Sequence, residues 1–122
     1  MSIENKAIKL ITKLIRETAS NNVTWNVSNP PRALVLATED EIYTYFQADY
    51  KDKVVAIFER KSKYFIDEHE FYWTSSDVFA VLDNENRILL EFSQISPALR
   101  DLFSTVREQV ADLDSLLDDL LE

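Results

Sequence analysis

Carboxylates and a histidine come together at one place in this chain, Asp67-Glu68-His69-Glu70, and His69 is its only histidine. A metal site or an acid–base pair needs such groups to converge. On an extended segment, however, neighbours alternate between faces, so Asp67 and His69 share a side while Glu68 and Glu70 do not. A metal there would need a further ligand from elsewhere in the chain. Charged residues at a loop tip are ordinary, and a solvated hairpin tip accounts for the cluster without any chemistry. A serine hydrolase would need a serine within hydrogen-bond reach of the same His69. A general acid–base pair could be drawn from almost any two of the 22 carboxylates, which singles out none. A small hydrolase or metal-dependent enzyme around His69 is therefore the alternative reading, and no catalytic residue, metal ligand or cofactor site is assigned.

A second grouping pairs cations with rings. Lys51, Lys53, Arg60, Lys61 and Lys63 lie beside Tyr50, Phe58, Tyr64 and Phe65. That is the composition of a nucleic-acid groove, with cations for phosphate and rings for base stacking. Asp52 and Glu59 interrupt it, and the net charge of −9 opposes phosphate approach. A strand edge that uses lysines to block edge pairing explains the same residues. Close by, Tyr64-Phe65 and Phe71-Tyr72-Trp73 put five large rings within ten residues. On alternating strands some of these rings must face outward unless both faces are buried. Exposed Tyr and Trp anchor protein interfaces, so Tyr64, Phe65, Tyr72 and Trp73 form the preferred contact surface.

The third feature is the C-terminal segment, read as one amphipathic helix from Ser96 to Glu122. Leu99, Phe103, Val106, Val110, Leu113, Leu117 and Leu120 keep a 3-4 spacing, widened by Leu102, Leu116 and Leu121. Ser96-Pro97 is a suitable start, a capping side chain followed by proline at the first helical position. After Arg107 there is no basic residue. Asp118, Asp119 and Glu122 sit where carboxylates oppose the helix dipole, so local helix stability does not explain them, and they are expected to await a partner. The stripe can cover the chain's own sheet or form the seam of a homodimer. An acidic polar face argues against membrane-surface binding.

These residues need elements to hold them. Ser2 can cap a helix running to about Ser20, with Ile3, Ala7, Leu10 and Leu14 on one seam and Ile8, Ile11 and Ile15 beside it. Lys6, Lys9, Lys13 and Arg16 rim that helix and are expected to face Glu108, Asp112 or Asp119, neutralising part of the acid. The period then changes from 3.6 to 2. Val23, Trp25 and Val27 read as a short strand, and Ala33 to Ala37 as a buried strand or a connector. Ile42, Thr44, Phe46, Ala48 and Tyr50 alternate against Tyr43, Tyr45, Gln47 and Asp49. A tight turn at Lys51-Asp52 leads to a strand from Lys53 to Glu59. Strands at about Phe71 to Leu82 and Arg87 to Phe92 follow, joined by a turn at Asp83 to Asn86. The prediction is an α+β domain spanning 1–122, an antiparallel meander of four to six strands with both terminal helices packed on one face.

Composition narrows the chemistry. With 122 residues, 46% of them hydrophobic and 11% aromatic, the chain can bury a real core. It has no cysteine, hence no disulfide, thiolate nucleophile or cysteine metal site. It also has no glycine, which excludes the phosphate-cradling loops and the strained nucleophile elbow that depend on it. Asn and Asp must supply left-handed turn residues instead, at Asn21-Asn22, at Asp83 to Asn86 and at the Ser28-Asn29-Pro30-Pro31 corner. Lys6, Lys9 and Lys13 cut the first apolar stretch, so neither a leader nor a membrane span is expected and the default location is cytoplasmic. Charge is uneven: residues 1–63 carry ten Lys/Arg against eight Asp/Glu, and residues 64–122 three against fourteen.

Taken together, the Trp25 strand, the Tyr43 to Tyr50 and Lys53 to Phe58 hairpin, the Arg87-Ile88-Leu89-Leu90-Glu91-Phe92 strand and the closing Leu102-Phe103 … Val106-Arg107-Glu108-Gln109-Val110 … Leu113-Asp114 … Leu117 pattern resemble small uncharacterised bacterial proteins. The resemblance covers most of the chain, which departs from it in lacking turn glycines. It implies an α+β fold and a bacterial source, and no activity attaches to it. The functional expectation is a non-enzymatic protein-interaction module. Its most concrete form is an immunity-like or antitoxin-like acidic inhibitor of a basic protein, because an acidic surface can occupy a site built for nucleic acid.

Overall fold

The computed structural model describes residues 2–36 and 40–122, the Leu36 side chain apart. Helix α1 (Ile3–Ala19) starts where Ser2 caps it, its hydroxyl accepting the Asn5 N–H at 3.1 Å. Asn21, at φ 58°, turns the chain out of the helix. The buried row is Ala7, Ile11, Leu14 and Thr18, while Ile3 is exposed. The seam is thus rotated from the expected one, because it must bring Thr18 to Trp25, whose indole N–H donates to the Thr18 hydroxyl at 2.9 Å.

Five strands follow in antiparallel order β1 (Asn26–Val27), β2 (Glu41–Tyr50), β3 (Lys53–Phe65), β4 (Phe71–Leu82) and β5 (Ile88–Phe92). This is the expected α+β meander. Lys51 and Asp52, at φ 47° and 65°, make the two-residue turn between β2 and β3 in the left-handed conformation that matches strand twist. Between β4 and β5, Asp83 Oδ1 accepts the N–H groups of Glu85 and Arg87, both at 2.9 Å, and Oδ2 takes Arg87 Nε–H at 2.7 Å. Asn86 supplies the left-handed residue there, at φ 63°.

The alternation expected along β2 holds only after Thr44. The register slips between Tyr43↔Glu59 and Phe46↔Ile57, so one extra residue bulges from β2, and Thr44 adopts φ 52°. Tyr43 therefore shares a face with Phe46, whereas Ile42 packs with Tyr45 on the other face.

Both faces of the sheet are apolar. One carries Phe46, Ala48, Val55, Ile57, Phe79 and Phe92 and is covered by α1 and helix α3 (Pro97–Ala111), which buries Leu99, Leu102, Phe103 and Val106. The two terminal helices do share one face. The opposite face carries Tyr45, Ala56, Phe58, Val78, Ala80 and Leu82, and Leu34 buries itself there. Leu34 belongs to a short helix, α2 (Arg32–Leu36), so the Ala33 to Ala37 run is neither a strand nor a plain connector. Ala37 lies outside the described residues.

The C-terminal segment is two helices. Asp112 adopts a left-handed conformation, φ 47° and ψ 61°, separating α3 from α4 (Leu113–Leu121). The apolar spacing continues through the break, yet α4 buries none of its residues. Among the described residues no ion pair joins Lys6, Lys9, Lys13 or Arg16 to Glu108, Asp112 or Asp119, so the expected internal neutralisation does not form. No helix among the described residues is long and apolar enough to cross a membrane.

Candidate interaction surface

β2 pairs with β3 only as far as Glu41↔Lys61, and β5 with β4 only as far as Phe92↔Phe79. Beyond those points β3 and β4 pair with each other alone, through Ser62↔Thr74, Lys63↔Trp73, Tyr64↔Tyr72 and Phe65↔Phe71. Strand β3, expected to end at Glu59, thus runs on to Phe65 and forms with β4 a projecting two-stranded arm. Two strands alone are marginal in water. Rings facing each other across the arm hold it: Tyr64 and Tyr72 lie 5.1 Å apart between centroids, and Phe65 and Phe71 lie 5.7 Å apart.

Alternation divides the four predicted contact residues between faces. Tyr64 and Tyr72 lie on one face. Phe65 and Trp73 lie on the other, joined by Phe71, which meets the Trp73 ring edge-on at 5.9 Å. All are exposed, Phe65 at 58% and Trp73 at 45%. The Trp73 face is the richer, because the bulge at Thr44 adds Tyr43 to it. Lys61 Nζ stands 4.4 Å from the Tyr43 ring centre, and Lys63 Nζ stands 4.7 Å from Phe71 and 5.5 Å from Trp73. A groove of about 530 Å³ opens among Glu41, Tyr43, Lys61, Trp73, Thr74 and Ser75. The Tyr43 hydroxyl donates to Glu41, which holds this phenol above its ordinary pKa. Sequence reasoning missed Tyr43 because a β-branched residue at the bulge gives no sign of a left-handed turn.

Toward the body of the protein, Ser75 is shared with a polar groove of about 320 Å³ that reaches Arg100 and Arg107 on α3. The Arg107 guanidinium lies 4.3 Å over Phe103, and neither arginine forms an ion pair among the described residues.

The arm ends in the Asp67 to Glu70 turn. Asp67 Oδ1 accepts the N–H groups of His69 and Glu70 at 2.7 and 2.9 Å, so its carboxylate holds the turn. Among the described residues no group of three or more His, Cys, Asp or Glu is placed to hold a metal. The lysines of the Lys51 to Phe65 hairpin also separate. Lys53 begins β3 and Lys61 lies eight residues along it, roughly 26 Å away at about 3.3 Å per residue.

At the far end of the chain Asp118, Asp119 and Glu122 are exposed and unpaired among the described residues, beside the exposed Leu113, Leu116, Leu117, Leu120 and Leu121. No protein family, curated protein or solved structure matches this chain.

Proposed function

We propose that this chain is a non-enzymatic protein-interaction module. The arm carries the proposal: rings that would be core residues elsewhere stand on a two-stranded projection beyond the layers that bury the rest of the sheet. Contiguous exposed apolar surface of this kind is characteristic of contact sites, and Tyr and Trp are their usual anchors. The acidic, leucine-faced α4 supports the narrower form of the proposal, an immunity-like or antitoxin-like inhibitor that presents carboxylates to a basic protein. An enzyme around His69 and a nucleic-acid groove from Lys51 to Phe65 have no comparable support, since Asp67 is committed to its turn and the lysines divide between two ends.

The test is retention of proteins from an extract of the source cells by the immobilised full chain and by two variants, Trp73→Ala and Asp118→Lys/Asp119→Lys. The expected result is a basic protein held by the intact chain, lost at least tenfold from either variant, and released as salt rises to about 0.5 M. Retention that is equal in all three chains and insensitive to salt would refute the proposal.

A further inference from the structure

Among the described residues helix α4 is only weakly supported, beside its junction with α3. It is nine residues long and buries no side chain. Isolated helices shorter than about 12–15 residues are marginal in water. Its C-terminal end makes matters worse, because Asp118, Asp119 and Glu122 place negative charge at the negative pole of the helix dipole. A covering surface for α4 must be apolar, to take Leu113, Leu116, Leu117 and Leu120, and must carry cations beside the apolar part. The Trp73 face of the arm has both properties. Tyr43, Phe65, Phe71 and Trp73 provide the rings, Lys61 and Lys63 lie among them, and Arg100 and Arg107, without an ion pair among the described residues, stand on its α3 side. The acids at its base are engaged, Glu41 with the Tyr43 hydroxyl and Glu59 with Lys61 at 3.9 Å. Asp77 shares the arginine groove, and the acids at the arm's tip lie past the rings.

We infer that a second copy of this chain occupies that face: α4 of each protomer docks on the aromatic arm of the other, giving a closed two-fold dimer with two identical α4–arm contacts. The geometry disfavours the alternative of α4 packing on α4. The break at Asp112 leaves only nine residues for such a seam, well short of the three or four heptads a coiled coil uses. It would also bring together two sets of Asp112, Asp114, Asp118, Asp119 and Glu122 with no cation in either. An α4–arm contact places opposite charges together, and reciprocity closes the assembly at two copies. The inference needs no foreign partner; it uses the same arm face and α4 as the interaction proposed above, so a basic partner would bind in place of the second copy, and the mass of the pure chain tests the dimer separately from retention of a foreign protein.

The test is the mass of the pure full chain by sedimentation at concentrations up to about 1 mM, the weak end of specific association. The expected result is a mass approaching twice 14.2 kDa at low salt. One variant alters only the arm, Lys63→Glu/Trp73→Ala, and another only α4, Leu116→Asp/Leu120→Asp. All four residues are exposed, and circular dichroism checks that both variants fold. Each variant alone should weaken dimerisation at least tenfold, and an equimolar mixture should recover a heterodimer through its one intact α4–arm contact. A chain monomeric at every concentration overturns the inference. So does a dimer that survives the arm variant, which would assign the seam to α4 alone, and so does a mixture of variants that stays monomeric.

Discussion

Gln109 and Trp25 are joined backbone to side chain, the Trp25 N–H donating to Gln109 Oε1 at 2.8 Å. The same amide turns its Nε2 to the carbonyls of Val23 at 2.7 Å and Thr18 at 3.4 Å. One side chain on α3 thereby satisfies the irregular backbone between α1 and β1, in a region where Val23 and Trp25 are buried and little sheet pairing is on offer. This explains why the expected Val23 to Val27 strand contracts to two residues. The backbone groups around Trp25 are bonded to a helix side chain instead of a neighbouring strand.

Replacing Gln109 should therefore cost more than an average surface change. Gln109→Ala leaves a partly buried N–H and carbonyl without partners and should destabilise by about 2 kcal/mol. Gln109→Glu keeps an acceptor for Trp25 but sets a carboxylate against the Val23 and Thr18 carbonyls, and should be at least as damaging. Denaturant melts of the two variants check this, with an effect below about 0.5 kcal/mol in either counting against the bridge.

Thr44 is a β-branched residue at φ 52°, where its Cβ crowds the backbone at a cost of about 1–2 kcal/mol. Asn or Gly tolerates that conformation better. Thr44→Asn should raise stability by about 0.5–1 kcal/mol without moving the register, and Thr44→Gly should gain less, because glycine also frees the unfolded chain. Thermal melts decide, and a lower melting temperature in the Asn variant would remove the argument from strain.

Tyr45 stacks on Phe58 at 5.7 Å between ring centres, and its buried hydroxyl finds no hydrogen-bond partner among the described residues. Burial pushes this phenol up to about 12. The folded state thus holds the proton more tightly than the unfolded state, whose tyrosine titrates near 10. The stability this contributes is fully present below about pH 10 and declines as pH rises toward 12. Tyr45→Phe removes an unsatisfied hydroxyl, so it should leave stability at pH 7 unchanged or higher and flatten the decline between pH 10 and 12. Chemical denaturation across that range is the measurement, and a large loss at pH 7 would reveal a partner for the hydroxyl.

Much of this architecture was legible because local chemistry and burial agreed. Ser2 caps α1, Lys51-Asp52 turns β2 into β3, and the apolar runs at Val54 to Phe58 and Val78 to Leu82 are those of strands buried on both faces. Three features were not legible, each for a physical reason. Asp112 breaks the last helix without breaking its leucine spacing, so periodicity continues where the helix does not. The arm from Lys61 to Phe65 covers no core and shows no apolar alternation, so it reads as a loop although it is strand. Gln109 lies between Val106 and Val110 on a half-buried row, and nothing local distinguishes a glutamine bonded to distant backbone from one in solvent. The candidate surface was legible in its ring content, but its division between faces depended on the register of the arm, and Tyr43 joined it only through a bulge.

The two tryptophans give a direct reading of the arm. Trp25 is buried at 3% exposure and bonded to Thr18, whereas Trp73 stands 45% exposed on the projecting strand. A soluble quencher such as acrylamide should therefore reach one population and spare the other. Trp73→Phe should abolish the quenchable fraction, and Trp25→Phe should abolish the protected one at a cost of about 1–3 kcal/mol in stability. Anything that covers the Trp73 face, a foreign protein or a second copy, must exclude water and quencher from that ring while leaving Trp25 unchanged. Protection that rises with the concentration of the pure chain and disappears in the Leu116→Asp/Leu120→Asp variant would tie the covering to α4. A Trp73 signal equally quenchable with and without a bound partner would mean that binding lies elsewhere on the molecule.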